Sequence, residues 1–267
     1  MGRTFLVAML GFALTSHADA HDTWMTGRTV DADGGARLEL QLTSGMGFPS
    51  PESAVGADRV ERADVFLGDR QSKLKAAPAG PRSLALHSEP LSDGLALAAV
   101  VLEPRELELD AAQVEEYLAE LDAGEEVRAA YARTGHWRER YRKTATALVR
   151  IGTRGGPVPE ARPLGLPLEL VALSDPSRLP PGAGLRACLY AGGKPMPGHR
   201  IGLVSANSPE TPWLVTNSDG CADFELTLPG RHLLRAIVLK PARERGVDWV
   251  SEFTTLSFEL PHYREAR

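Results

Sequence analysis

The chain has 267 residues, of which 24% are charged and 43% hydrophobic, and a formal net charge of −5. That mildly acidic balance gives no electrostatic footprint for nucleic acid or for an anionic membrane surface. The length allows one large domain or two ordinary ones, and 26 glycines and 20 prolines scattered between short alternating segments favour β architecture.

Residues 1–20 read as a cleavable signal peptide. Arg3 gives a positive start, Phe5 to Leu14 is an apolar run, and Ala18-Asp19-Ala20 has the small-x-small pattern of a cleavage site. The run is well short of the roughly 20 apolar residues that span a bilayer. No cysteine follows the small residues, which closes the lipoprotein route. The mature chain is therefore expected in the periplasm or secreted medium, with no membrane insertion after cleavage and with His21 as its N-terminus. Loss of Arg3 and Asp19 leaves the net charge unchanged.

A first β-sandwich is expected over 21–152. Arg37 to Leu42 alternates, Ala63 to Leu67 is short and apolar, and Leu95 to Leu102 is a buried run, with turn clusters at Asp33-Gly34-Gly35 and Ser92-Asp93-Gly94. The period then changes. Asp110 and Gln113 have the spacing of a capping box, followed by Val114, Tyr117, Leu118 and Leu121 at helical intervals. Val127, Ala130 and Tyr131 continue that pattern, and Trp137, Tyr141, Ala145 and Leu148 read as one more helix. A small helical insertion is thus expected at about 110–150. Its acidic run (Glu115, Glu116, Glu120, Glu125, Glu126) and basic run (Arg138, Arg140, Arg142, Lys143) read as paired solvated faces, with a basic groove for an anion as the weaker alternative.

Residues 153–163 have linker composition. Beyond them, 164–261 contains seven short strand patterns: Leu168 to Leu173, Leu185 to Tyr190, Arg200 to Val204, Trp213 to Thr216, Ala222 to Leu228, His232 to Leu239 and Thr254 to Leu260. That number in about a hundred residues fits an immunoglobulin-like sandwich, with 262–267 as a tail. The fold class is accordingly mainly β, two immunoglobulin-like sandwiches with a helical insertion closing the first.

The two cysteines, Cys188 and Cys221, survive cleavage, and an even count in an exported chain suggests a disulfide. Both alternate against apolar neighbours, so both fall on the polar faces of their strands. Adjacent strands would bridge them there; two unpaired surface thiols are the alternative.

In the second half, Gly193-Lys194-Pro195-Met196-Pro197-Gly198, Asn217-Ser218-Asp219-Gly220 and Pro229-Gly230 ahead of the His232 strand occur in an order that resembles the prealbumin-like and carboxypeptidase-regulatory-like repeats of exported proteins. The whole chain from 21 to about 260 resembles a periplasmic family whose domain is of unknown function and whose members are labelled nickel- or cobalt-uptake substrate-specific components (NikM-like). The features that carry this are Ala20-His21-Asp22-Thr23-Trp24, Gly45-Met46-Gly47-Phe48-Pro49, Arg138 to Lys143, Pro163 to Val171, Leu234-Arg235-Ala236, and Trp249 with Thr254 to Phe258. The resemblance implies metal handling. Relatives tend to carry a histidine where this chain has Met46, and another after Ala236, where it has Val238 and Leu239.

His21 is the sharpest chemical feature. At a free terminus its α-amino group and imidazole chelate one metal through two nitrogens; the amine, with a pKa of roughly 8, yields its proton to a metal near neutral pH. Imidazole and amine suit nickel, cobalt, copper or zinc, and Met46 offers a thioether that favours Cu(I). His87 alternates against Leu84 and Leu86 on the outer face of the first sandwich, as a candidate partner for His21. His232 stands where the related repeats carry an aromatic residue and reads as packing; His136, His199 and His262 lack ligand spacing. A frayed, unliganded His21 is the plain alternative.

No nucleophile elbow, zinc-protease helix, phosphate loop or dinucleotide fingerprint occurs. Their absence favours a binding role, with a hydrolase built from scattered residues as the alternative. The leading reading is a periplasmic binding protein for one divalent transition-metal ion (nickel, cobalt or copper) or its complex, in uptake or homeostasis, with a membrane transporter or receptor as further partner. The rival is a non-catalytic envelope module for protein or polysaccharide; the third is a copper oxidase or monooxygenase with an N-terminal histidine brace.

Overall fold

The computed structural model describes residues 21–262 apart from 78, 79, 153–155, 157, 160 and 181. The expected signal peptide, part of the expected linker and all but the first residue of the tail lie outside the described residues. The first half contains β1 (Asp22–Ala32), β2 (Gly35–Gly45), β3 (Ser53–Ala54), β4 (Val60–Leu67), β5 (Arg70–Lys73), β6 (Lys75–Ala76), β7 (Leu84–His87), β8 (Gly94–Leu102) and β9 (Arg105–Leu109). Helices α1 (Ala111–Glu120) and α2 (Glu125–Thr134) follow, then β10 (Trp137–Ile151). The second half contains β11 (Glu169–Ala172), β12 (Ala183–Ala191), β13 (Lys194–Pro195), β14 (Arg200–Ser205), β15 (Trp213–Val215), β16 (Cys221–Leu226), β17 (Gly230–Pro241) and β18 (Trp249–Leu260).

The chain is mainly β, and its strands form three sheets. A nine-stranded central sheet runs β15-β14-β17-β18-β10-β8-β4-β5, with β9 beside β10. A five-stranded sheet runs β1-β2-β7-β6 with β3 on β2, and a four-stranded sheet joins β11, β12, β13 and β16. The parallel pairing of β10 with β18, from Glu139↔Trp249 to Ala147↔Ser257, makes the central sheet continuous through both halves of the sequence.

Strand alternation assigns the outer sheets to opposite faces. Ala145, Ala147 and Ile151 of β10 pack with Met25, Leu38, Leu40 and Leu84 of the five-stranded sheet. Leu256, Phe258 and Leu260 of β18 pack with Leu170, Leu185 and Leu189 of the four-stranded sheet, and Leu148 joins them. Odd-numbered positions of β10 and β18 thus face one outer sheet and even-numbered positions the other.

The helical pair covers the odd face beyond the five-stranded sheet. Val114, Tyr117 and Leu118 of α1 seal against Trp137, Tyr141, Trp249 and Phe253, and Trp137 stacks on Trp249 at 4.9 Å. Asp110 and Gln113 form the expected capping box. Beneath α1, the buried Glu139 carboxylate accepts from Tyr117 Oη at 3.1 Å, from Trp137 Nε1 at 2.7 Å and from Ser251.

The third expected helix is a strand. Trp137, Tyr141 and Ala145 are four apart, which suits one helix face, but four is also twice the strand period, so the same residues share one strand face. The complete alternation decides: Glu139 and Lys143 are buried on that face too, and Trp, Tyr, Thr, Val and Ile are strand formers. The helical insertion therefore ends at Thr134, and His136 immediately precedes a strand, where its Nδ1 lies 2.9 Å from Asp248.

The seven strands expected after residue 164 are all present. Cys188 and Cys221 sit directly opposite each other on β12 and β16 and are disulfide-bonded, Cα to Cα 3.9 Å. They occupy the face away from the core, as alternation requires, but that face is covered at this point and both cysteines are buried. His232 is a packing residue: it is buried, stacked on Phe258 at 5.4 Å, and bonded through Nδ1 to the Gly230 carbonyl.

Candidate functional site

The start of β1 lies across the odd face of the central sheet, between the helical pair and the body of the five-stranded sheet. Four side chains from that face hold it. Lys143 Nζ donates to the His21 carbonyl at 2.6 Å, and Arg235 Nη1 donates to Asp22 Oδ2 at 2.9 Å. Thr255 and Ser257 hydroxyls donate to the Thr23 and Met25 carbonyls at 2.6 and 2.5 Å. Each donor is at an odd position of β10, β17 or β18, so one sheet face presents them as a row.

The two cations are themselves fixed. Lys143 Nζ lies 5.4 Å from the Tyr141 ring centre and 5.2 Å from that of Phe253, an arrangement that favours a desolvated ammonium. Arg235 also lies 3.7 Å from Glu120 at the end of α1 and 4.9 Å from the Trp213 ring centre. That indole rests flat over Gly202, where a Cβ would meet ring atoms at 3.0 Å. Arg200 lies against the same ring at 4.9 Å and pairs with Asp122 at 2.9 Å. Arg235 thus joins β1, α1 and β15 from a position on β17.

Burial raises the Asp22 carboxyl above its usual range, against the opposing pull of Arg235, Lys143 and His21. Burial also raises Glu120, with Arg235 opposing and Asp22 adding to the rise. Two carboxylates share one guanidinium in a poorly solvated place, and removing that cation would leave both unfavourably buried.

The ladder between β1 and β2 ends at Asp22↔Gly45. One step further along both strands stand His21 and Met46. The Met46 loop is built rather than loose: Glu52 accepts from the backbone N–H groups of Met46 and Gly47 at 3.1 and 2.5 Å. A Cβ at Gly45 or Gly47 would lie 2.5 or 2.6 Å from the Glu52 carboxyl, so a side chain at either position would displace that carboxyl from the Met46 loop. Phe48 packs edge-on against Trp24 at 5.8 Å. The Met46 side chain, in contrast, is 64% exposed.

The structure brings His21 and Met46 to one end of the β1–β2 ladder and puts His87 elsewhere. His87 is on the outer face, as alternation requires, but pairs with Glu39, which pairs with Arg28. Seven residues of extended strand separate Arg28 from His21, roughly 20 Å or more. His87 and His21 therefore cannot bind one ion. Asp22, next in sequence to His21, is committed to Arg235. Among the described residues no three His, Cys, Asp or Glu side chains converge as a ligand set.

Lys143 and Arg235 were not identifiable as site residues from sequence. In sequence Lys143 ends a run of charged residues and Arg235 stands between the apolar Leu234 and Ala236, so both read as solvated, and only the covering β1 segment turns their face into an interior. The signal available was indirect: Leu233 to Val238 reads as a strand with both faces filled.

Fold and site together define an all-β protein with two short helices, whose His21 segment is clamped on a central sheet. The chain belongs to the family described as Domain of unknown function (DUF4198), whose model matches residues 18–240. No curated protein matches. Among solved structures, the human OSCAR ligand-binding domain is similar at 12% identity, over 87% of this chain and 95% of that one, with a TM-score of 0.21, a likeness too loose to carry an argument. No helix among the described residues is long and apolar enough to cross a membrane.

Proposed function

We propose that the mature protein is a periplasmic binding protein for a divalent transition metal or its complex, in uptake or homeostasis, with the ion held at His21. The observation that carries this reading is the fixing of the His21 backbone by Lys143 and Asp22–Arg235 beside an exposed methionine on a rigid loop. Pre-organised donors lose less freedom on binding than frayed ones. With the signal peptide removed, the α-amine and imidazole of His21 supply two nitrogens and Met46 a thioether. Among the divalent ions the amine and imidazole nitrogens favour copper by the Irving–Williams order, and the thioether favours it further in the Cu(I) state. The resemblance to nickel- and cobalt-uptake components supports metal handling as a class, and Met46 in place of a histidine accounts for a different metal preference.

Metal analysis of the protein purified from periplasm tests this. About one equivalent of a transition metal is expected, reduced in His21→Ala and Met46→Ala. Wild-type protein without metal after growth in metal-replete medium would overturn it. The rival reading, an envelope module that binds other macromolecules, is favoured by one separate feature, the cleft beside β1.

A further inference from the structure

A cleft of about 510 Å3 opens between β1 and the C-terminal ends of β10 and β18. Its position follows from how β1 is attached. Thr255 and Ser257 stitch the Thr23 and Met25 carbonyls to β18 at steps of two residues. The next step of that register sets Gly27 against Glu259, which has no hydrogen to donate when ionised, and here the strands part. Residues 23–26 are buried, whereas Arg28, Thr29 and Asp31 are exposed.

Among the described residues β1 has a ladder partner only in β2 and is the edge of its sheet. Backbone groups of alternate residues point to the same side of a strand, so Gly27 and Thr29 turn theirs outward, as Thr23 and Met25 do. Both line the cleft. An open edge on a strand of this length is a ready template for another strand. Phe48, Leu148 and Val149 give the cleft apolar lining, and Arg28, Arg150 and Arg231 stand around it against a single lining acid among the described residues, Glu259. Arg28 and Arg150 are paired with Glu39 and Asp175, while Arg231 reaches Glu259 only at 4.0 Å.

We infer that this cleft takes an extended acidic peptide segment of a partner protein, added as a strand to the β1 edge at Gly27 and Thr29. Main-chain bonding to an edge supplies affinity in such recognition, and flanking pockets and charges select the side chains. Arg231, half exposed and reaching Glu259 only at 4.0 Å, is the guanidinium left to select a carboxylate. The inference is independent of metal at His21.

The probe is a short acetylated peptide of alternating valine and glutamate, titrated into mature protein with hydrogen exchange followed at single amides. Binding should protect the Gly27 and Thr29 amides. It should weaken by about tenfold in Arg231→Glu, a charge reversal at an exposed position. Thr29→Pro, which removes an outward N–H and leaves the β2 ladder intact, should abolish it. A peptide N-methylated along its backbone should not bind, a control that leaves the protein unaltered should Thr29→Pro fail to fold. Absence of binding at millimolar peptide would overturn the inference. So would equal binding of the N-methylated peptide, saturation of the cleft by citrate without amide protection, or protection of the same amides by self-association alone.

Discussion

Polar groups on opposite faces of the same two strands meet different fates. On the odd face of β10 and β18, Lys143, Thr255 and Ser257 each donate to β1. On the even face, Arg142 stands opposite Glu252 and Thr144 opposite Thr254. There Arg142 Nε, Glu252 Oε2 and both threonine hydroxyls are buried without a hydrogen-bond partner. A buried unsatisfied group costs about 1–3 kcal/mol. The odd-face row is used to hold a segment from the far end of the sequence; the even-face cluster holds nothing comparable, and the Glu252 carboxyl is pushed up to about 7 by burial, with Arg142 and Lys240 opposing and Glu61 adding to the rise. Placement of a polar residue on an interior face is thus costly unless a backbone segment arrives to meet it.

The largest expected effect comes from breaking the odd face. Arg235→Met leaves Asp22 and Glu120 buried without their shared cation, and should destabilise by about 3–5 kcal/mol in urea denaturation at neutral pH. Because both carboxyls are raised, the loss should shrink as pH falls and they become neutral. A loss that does not vary with pH would assign the effect to packing alone.

The disulfide gives the next largest effect and lies outside both faces. Replacing Cys188 and Cys221 by serine opens a closure spanning 33 residues, worth roughly 3–4 kcal/mol in the chain-entropy model. Denaturation of the double variant against oxidised wild type measures it. A smaller effect on Asp22–Arg235 than on the second core would keep the two regions separable.

The even face yields a smaller effect with a defined sign. A folded-state value near 7 against an ordinary 4.5 means the folded chain keeps a proton that the unfolded chain has lost. The stability tied to Glu252 is therefore present below about pH 4.5 and lost as pH rises through about 7. Glu252→Gln should flatten that part of the stability profile and gain roughly 1–2 kcal/mol at pH 8 relative to wild type, after discounting for partial exposure. Equal slopes in the two proteins would contradict the assignment. The smallest change is expected for His232→Phe, where a flat ring replaces a flat ring on Phe258 and only the bond to Gly230 is lost, about 1 kcal/mol or less.

Much of the second half was legible in sequence because its strands are short, one face is apolar, and turn residues bound them. The Cys188–Cys221 bridge was suggested by the even cysteine count of an expected exported chain together with strand alternation, although the burial of the two residues was not. The capping box at Asp110 and Gln113 was equally local. β10 was misread because Trp137, Tyr141 and Ala145 satisfy helix and strand periods together, and the deciding residues, Glu139 and Lys143, are charged and look solvated. β1 was not read as a strand at all, since Trp24 and Met25 are adjacent apolar residues that point to opposite faces, both covered. The parallel β10–β18 pairing joins residues more than a hundred positions apart, and no local pattern encodes its register. His21 and Met46 were found by their chemistry; the side chains that fix His21 depend on that long-range pairing.

In the proposed function the free terminus of His21 chelates the metal from a fixed backbone. Calorimetric titration of Cu2+ and Ni2+ into two proteins, one beginning at His21 and one with a single extra residue ahead of it, tests this. The expected result is one site in the first, tighter for copper, and weakening of that site by at least about tenfold in the second, although its imidazole and Met46 are unchanged. Equal affinity in the two proteins would contradict the claim.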